Sequence, residues 1–350
     1  MARKKSSFKR IMIWLFTVIL IIAAAGGYLL YSFIYGPNVD LHGQKTDFLY
    51  IPTGSNFDDV SSIINKNNFI KNKTSFEWVA KRKNYLKKVL PGRYLINNGM
   101  SNDEFINLLR SGKQEPLNLT FTNIRTKKQL ASIVGSKLEA DSIELLQLLN
   151  DTAFAKKMGF NKETIMCLFI PNTYQFFWTT NDSAFIKRMA REYKNFWNEE
   201  RRAKAKQIGM TTEDVTILAS IVQEETNMTA DKPIVAGVYI NRLNKNMTLD
   251  ADPTLKFAIG DFTIQRLLNE DKLLESPYNT YKYAGLPPGP INLPAIETID
   301  AVLNYTNHDY LFFCAREDFS GYSNFAATYE QHLVNARKYQ AELNRRNIKR

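Results

Sequence analysis

The chain has 350 residues, 44% of them hydrophobic and 23% charged, a globular composition that is neither collagen-like nor disordered. Two distant cysteines exclude a disulfide scaffold and a CxxC motif, and three histidines (His42, His308, His332) argue against a His-rich metal site. Neither GxxxxGK[ST] nor a strand-borne GxGxxG occurs, so no metal and no nucleotide cofactor is expected. The net charge of +11 sits at the chain ends. Residues 1–10 carry five basic residues and no acid, residues 337–350 carry a net +5, and residues 11–336 sum to only +1. Nucleic-acid binding calls for a basic stripe on the folded body, so no nucleic-acid partner is expected.

Residues 1–10 read as a basic tail and residues 11–35 as a membrane-spanning helix. The 25 uncharged residues of this run would rise about 37 Å against a hydrocarbon core of about 30 Å. Trp14 at one end and Tyr28, Tyr31 and Tyr35 at the other suit the two interfaces. The rival is a signal peptide cleaved after Ala23-Ala24-Ala25, but the apolar run continues ten residues past that point. The positive-inside rule keeps the N-terminus in the cytoplasm, making a single-pass protein of the cytoplasmic (inner) membrane with an extracytoplasmic body. Cys167 and Cys314 are expected there as two buried free thiols.

After a short linker at 38–46, residues 48–54 read as a strand ending in a turn. Ser55-x-x-Asp58 then opens a helix with Val60, Ile63 and Ile64 on one face. A second helix near 74–86, a turn and strand from Leu90, and a helix capped by Ser101-x-x-Glu104 complete a small unit ending at Gly112. An extended stretch follows at Leu117–Thr122, and Thr126-x-x-Gln129 starts another helix. From about 150 the chain reads as mainly helical, with a strand at Tyr310–Ala315 and a basic helix from Thr328. Helices and strands do not alternate regularly, so the fold class is α+β.

Chemistry concentrates between 212 and 291. In the helix from Thr212, Val215, Leu218, Ala219, Ile221 and Val222 form one apolar stripe. Glu225 falls inside that stripe and Glu224 toward the opposite flank. A carboxylate held in a desolvated cleft at the end of such a stripe acquires a raised pKa and can serve as a general acid. Asp231-Lys-Pro233 opens the helix holding Val238–Leu243. Ala251-Asp-Pro-Thr254 reads as an Asp N-cap with Pro at N1. Ser276–Tyr281 gathers Asn, Thr and Tyr side chains beside the stiff Gly285–Ile291 loop, and together they could wall a polar cleft.

Five ordered segments, Ala219–Thr226, Val238–Leu243, Asp252–Thr254, Ser276–Tyr281 and Gly285–Ile291, resemble the membrane-anchored endolytic murein transglycosylases, the YceG-like family. Phe169–Tyr174 is similar to that family's Phe-Pro-Asp-Thr-Tyr segment. The chain departs from the family pattern at Tyr322–Phe325, where Gly-His is usual, and at Leu293-Pro294-Ala295. The resemblance implies a LysM-like α/β domain at 46–115 and a mainly helical catalytic domain with short strands at 116–350. It implies Glu225 as the catalytic residue, acting on peptidoglycan strands between MurNAc and GlcNAc. Asn241, Asp252, Asn279 and Tyr281 are the expected substrate contacts, and peptidoglycan synthases the expected neighbours. Two other readings stay open: a hydrolase with Asp250 or Asp252 as base, and a non-catalytic wall-binding scaffold.

Overall fold

The apolar N-terminal run forms one continuous helix, α1 (Lys4–Tyr35), in the computed structural model, which describes residues 4–264 and 267–346. Its segment Phe8–Tyr35, 28 residues of mean hydropathy 2.3, is long and apolar enough to cross a membrane. Residues 1–3 and 347–350, which hold part of the two basic ends, lie outside the described residues. The chain divides into two compact units, Met1–Leu117 with Gln175–Thr180, and Asn118–Tyr174 with Asn181–Arg350.

The first unit runs α1, β1 (Thr46–Ile51), α2 (Phe57–Lys66), α3 (Lys73–Arg82), β2 (Gly92–Asn97) and α4 (Asn102–Ser111). β1 and β2 are antiparallel in the register Thr46↔Asn97 to Ile51↔Gly92. The period-2 alternation of strands turns Leu49, Ile51, Tyr94 and Ile96 inward onto Val60, Ile64, Phe76 and Phe105. Ser101 and Glu104 form the expected capping box. The box on α2 is displaced by one residue, to Asn56 and Asp59. The pattern [Ser/Asn]-x-x-Asp occurs in both registers, and packing of the Val60 and Ile64 face selects the second. The expected second helix stops at Arg82, and Tyr85–Lys87 form a separate 3-10 turn.

The linker expected at 38–46 is built into this unit instead. Val39 and Leu41 are core residues, and Ile34 of α1 packs against the same core. The Asn38 side chain donates to Asn102 Oδ1 at 2.7 Å and accepts from Asn72 N at 2.7 Å. Burying a Val or Leu side chain contributes about 1.5–3 kcal/mol. A soluble protein starting at residue 46 should therefore melt well below one starting at residue 37, a difference that parallel thermal denaturation would show. Gln175–Thr180 also belong to this unit, where Trp178 packs edge-on to Tyr50 at 5.1 Å.

The second unit contains β3 (Leu117–Phe121, entered from the first), α5 (Lys127–Lys137), α6 (Ser142–Asn150), α7 (Thr152–Lys157) and β4 (Asn172–Phe176, leaving toward it). The chain continues through α8 (Asp182–Phe196), α9 (Glu199–Gln207), α10 (Thr212–Glu225), α11 (Lys232–Asn244), α12 (Asp252–Ile259) and α13 (Ile296–Leu303). It closes with β5 (Phe312–Ala315), β6 (Ser323–Ala326) and α14 (Tyr329–Arg345). Among the described residues the strands pair two by two, β1 with β2, β3 with β4 and β5 with β6. The mixture of helices with short separate sheets is α+β. β4 interrupts the run read as helical from 150, because Thr173–Phe176 alternates buried and exposed residues. The strand expected at Tyr310–Ala315 begins at Phe312.

α10 is the axis of this unit, packed against α11, α12 and α13. Thr211 and Asp214 cap its start, and Val215–Val222 are all buried. Gly237 on α11 is required by close approach, since a Cβ there would lie 2.5 Å from Thr306 O and 2.7 Å from His308 Nε2. Cys167 is buried and Cys314, on β5, only half-buried; both are free thiols. Burial pushes both thiols up.

Candidate active site

Glu225 occupies the last turn of α10 and lies in the wall of a cavity of about 350 Å³. Tyr239 and Arg242 of α11, Asp250 and Asp252 before and at the start of α12, and Tyr281 also line it. Its far side is formed by Phe312 and Phe313 of β5 with Tyr329 and His332 of α14.

The two adjacent glutamates have separate partners, as the helical period requires. Glu224 meets Arg125 at 2.9 Å and accepts from Asn292 Nδ2 at 2.7 Å. Glu225 turns into the cavity, where the buried Tyr239 hydroxyl donates to its Oε1 at 2.8 Å. Burial above all, then the Asp252 and Glu224 carboxylates, push the Glu225 carboxyl up to about 7. The Tyr239 bond and the Lys256 charge oppose that shift. Protonated and ionised forms of this group therefore coexist near neutral pH, which suits a group that must give and then take a proton.

Asp252 faces the same cavity for a local reason. The N-cap of α12 is Ala251, not Asp252 as expected, and Asp252 stands at the first helical position with no capping bond. Its Oδ1 accepts instead from the Tyr281 hydroxyl. Thr280 Oγ1 ties the two segments together, accepting from Ala251 N at 3.1 Å and meeting Thr254 Oγ1 at 2.8 Å.

Arg242, one turn beyond Tyr239, organises the cavity floor. Its Nε donates to Leu311 O at 2.7 Å. Its Nη1 donates to Thr248 O, Leu249 O and Asp250 Oδ2 at 3.0, 3.2 and 2.8 Å. Asp250 is held at φ +53°, a left-handed conformation that costs a non-glycine residue about 1–3 kcal/mol and persists only when its surroundings impose it. The Arg242 bridge and the Asp250 N–H bond to Thr280 O impose it here.

The expected substrate contacts thus divide. Asp252 and Tyr281 join Glu225 in the cavity wall, whereas Asn241 and Asn279 do not line it. Asn279 is fully buried and spends its side chain on its own loop, donating to Lys272 O and Leu274 O and accepting from Tyr281 N. Asn241 donates to His308 O at 2.6 Å and Tyr310 O at 3.1 Å, fastening the approach to β5. Both side-chain N–H₂ groups thus bond to backbone carbonyls. Tyr239, Arg242, Phe312, Phe313, Tyr329 and His332 stand in the lining beyond the residues expected from the sequence. The first two carried a usable signal, because residues three apart share a helix face and Asn241 falls on another. Burial and the Arg242 charge hold His332 below its ordinary range. Among the described residues no three His, Cys, Asp or Glu side chains converge as a metal site.

Comparison with known proteins agrees over nearly the whole chain. The YceG-like family model matches residues 49–338. An endolytic murein transglycosylase of Bacillus subtilis is 30% identical over 332 residues, covering 88% of this chain and 90% of that protein. One from Streptococcus pneumoniae serotype 2 is 29% identical over 334 residues, or 86% of this chain, which spans only 60% of the pneumococcal protein. The crystal structure of a yceG-like protein from Listeria monocytogenes superimposes with a TM-score of 0.56 at 27% identity, covering 83% of this chain and 98% of that one. On the extent of these matches, and with Glu225, Tyr239, Arg242, Asp252 and Tyr281 of the resembling segments meeting in the wall of one cavity, the chain belongs to the YceG-like family.

Proposed function

We propose that this protein is an endolytic murein lytic transglycosylase with Glu225 as its single acid–base catalyst. The observation that carries this reading is the Glu225 carboxyl, pushed up to about 7 in a cavity and bonded by Tyr239. The names of the relatives support the reaction class. Protonated Glu225 donates to the glycosidic oxygen between MurNAc and GlcNAc, and positive charge develops at C1 of MurNAc. The C6 hydroxyl of the same sugar attacks C1, and ionised Glu225 takes its proton, closing a 1,6-anhydro ring. No water is consumed and one carboxylate suffices, unlike the two of ordinary glycosidases. In this scheme Asp252, held by Tyr281, faces the developing positive charge and Tyr239 fixes the catalytic carboxyl. Digestion of uncrosslinked glycan strands tests the reaction, since anhydro ends weigh about 18 mass units less than hydrolysed ones, one water, under the single-carboxylate scheme.

One observation favours a second reading. Asp252 lies in the same cavity as Glu225, so a hydrolase with Asp252 as base would use the same walls and would release hydrated ends.

The Tyr239 bond stabilises the ionised form of Glu225, so its loss moves the carboxyl further up. Tyr239→Phe should shift the alkaline limb of the kcat/KM profile to higher pH by roughly one unit, the worth of one hydrogen bond to a charged group. An unmoved limb in that variant would detach Tyr239 from the acid.

We also read α1 as a single-pass anchor with its basic end in the cytoplasm, so that the body works on the outer face of the cytoplasmic membrane. Its length and hydropathy support the span, and the five basic residues before it support the orientation. A catalytic unit tethered there meets new glycan strands first, and cutting them internally would set their length and end elongation beside the synthases. Reading 46–115 as a LysM-like domain makes it a glycan-binding element, which sedimentation of the chain with purified murein tests.

A further inference from the structure

We propose that the exposed face of α3 and the 3-10 turn after it binds the anionic headgroups of the membrane that α1 enters. This rests on the reading of α1 as a membrane anchor and adds a second attachment beside it. Three observations within the first unit carry it.

The segment 71–88 holds seven basic residues and one acid, in a body whose net charge over 11–336 is only +1. Lys71 and Lys73 are loosely paired with Asp40 and Glu77 at 3.8 and 3.6 Å. Lys81, Arg82, Lys87 and Lys88 are exposed and make no ion pair among the described residues. An unpaired cluster of this size is costly through mutual repulsion unless counterions or an anionic surface offset it.

This face is fixed at the mouth of the anchor. Asn102 Nδ2 donates to Phe33 O of α1 at 2.8 Å and to Ser75 Oγ near the start of α3 at 2.9 Å. At the other end of α3, Lys83 Nζ meets Asp103 Oδ1 at 2.5 Å, next to Asn102. The start of α3 is thereby held near the last turn of α1, against which α3 packs, the turn that presents the paired rings of Tyr31 and Tyr35, 5.1 Å apart. Tyrosines in that position sit at the headgroup level of a spanning helix. Residues 37–41 are ordered into the unit, so no slack lets α3 swing away from the surface.

The face is also amphipathic in the manner of an interfacial segment. Trp78 is half-buried with the Arg82 guanidinium 5.2 Å over its ring, and Leu86 in the 3-10 turn is 42% exposed. Tryptophan and leucine among lysines let an apolar side settle at the acyl boundary while the cations meet phosphates. The attraction decays over a Debye length of about 10 Å at 0.1 M salt, so it operates only because the anchor holds the face close.

The test uses the full chain in lipid nanodiscs, with Cys314→Ser, the buried Cys167 left in place, and a fluorophore on Leu86→Cys. Quenching by a headgroup nitroxide lipid should be at least twofold stronger in discs rich in phosphatidylglycerol than in phosphatidylcholine discs. The difference should disappear in 0.5 M NaCl and in K81E/R82E/K87E/K88E. Equal quenching in both discs, insensitive to charge reversal, would overturn the proposal. So would protection of the label by soluble polyphosphate without quenching in anionic discs, which would assign the face to a wall polymer. A label on Ala24→Cys separates the two readings. Quenching there by an acyl-chain nitroxide in both discs keeps the anchor intact whatever Leu86 does, and its absence would remove the anchor and the proposal together.

Discussion

Glu225→Gln should lower turnover on glycan strands by about 10²–10⁴-fold and, above pH 7, make the protein more stable. The loss follows from the role, since an amide neither donates to the glycosidic oxygen nor recovers the O6 proton, and general acid–base catalysis is worth that much. The gain follows from linkage. A carboxyl raised from 4.5 to about 7 binds its proton more tightly in the folded state, so its contribution to stability is lost as pH rises from the unfolded pKa through 7. The full penalty is of order 3 kcal/mol above pH 7, and it vanishes below about pH 4. The variant should therefore outlast the parent at pH 8 and match it at pH 4, as thermal denaturation at the two pH values would read. A variant that is inactive and equally destabilised at both would have lost its fold, not its acid.

Arg242→Met is the substitution with the largest expected cost to stability, of order 3 kcal/mol. The buried guanidinium serves Leu311 O, Thr248 O, Leu249 O and Asp250, and methionine fills the stem without replacing a single donor. Unsatisfied buried acceptors cost about 1–3 kcal/mol. The Asp250 carboxylate is 41% exposed and can take up water, so its share is smaller than for a buried pair. Release of Asp250 from its left-handed backbone would also free the turn that aims Asp252. Activity should fall with stability, and Arg242→Lys should rescue neither, because an ammonium on a flexible stem cannot reproduce the two-sided fork. An unchanged melting temperature in Arg242→Met would show that the Thr248–Asp250 turn holds itself.

What was legible beforehand was mostly what is local. The anchor shows as a run without charge, Ser101 with Glu104 and Thr126 with Gln129 as capping boxes, and the Val215–Val222 stripe as a period. That same period separates Glu224 from Glu225, whose partners Arg125 and Tyr239 stand on other elements. Amide chemistry makes Asn241 and Asn279 candidates in the sequence, but the carbonyls that their Nδ2 groups meet belong to His308, Tyr310, Lys272 and Leu274, and no periodicity reveals such a meeting. The Asp-Pro pattern places Asp252 one position too early in its helix, where it would spend itself as a cap. Val39 and Leu41 lie in a short polar-looking stretch, and only tertiary packing into the core of the first unit buries them. The contribution of Tyr329 and His332 depends on α14 folding back beside β5, a tertiary event invisible in a helix whose sequence reads simply as basic and exposed.

Cleavage by Glu225 without water leaves a signature in the mass of the product ends. Uncrosslinked glycan strands are digested by the full chain in detergent, in parallel with Glu225→Gln, and the product ends are weighed by mass spectrometry. The expected products carry anhydro ends, lighter by one water than hydrolysed ends, and disappear in the variant. Hydrated ends from the parent protein, or anhydro ends that persist without the carboxylate, would contradict this scheme.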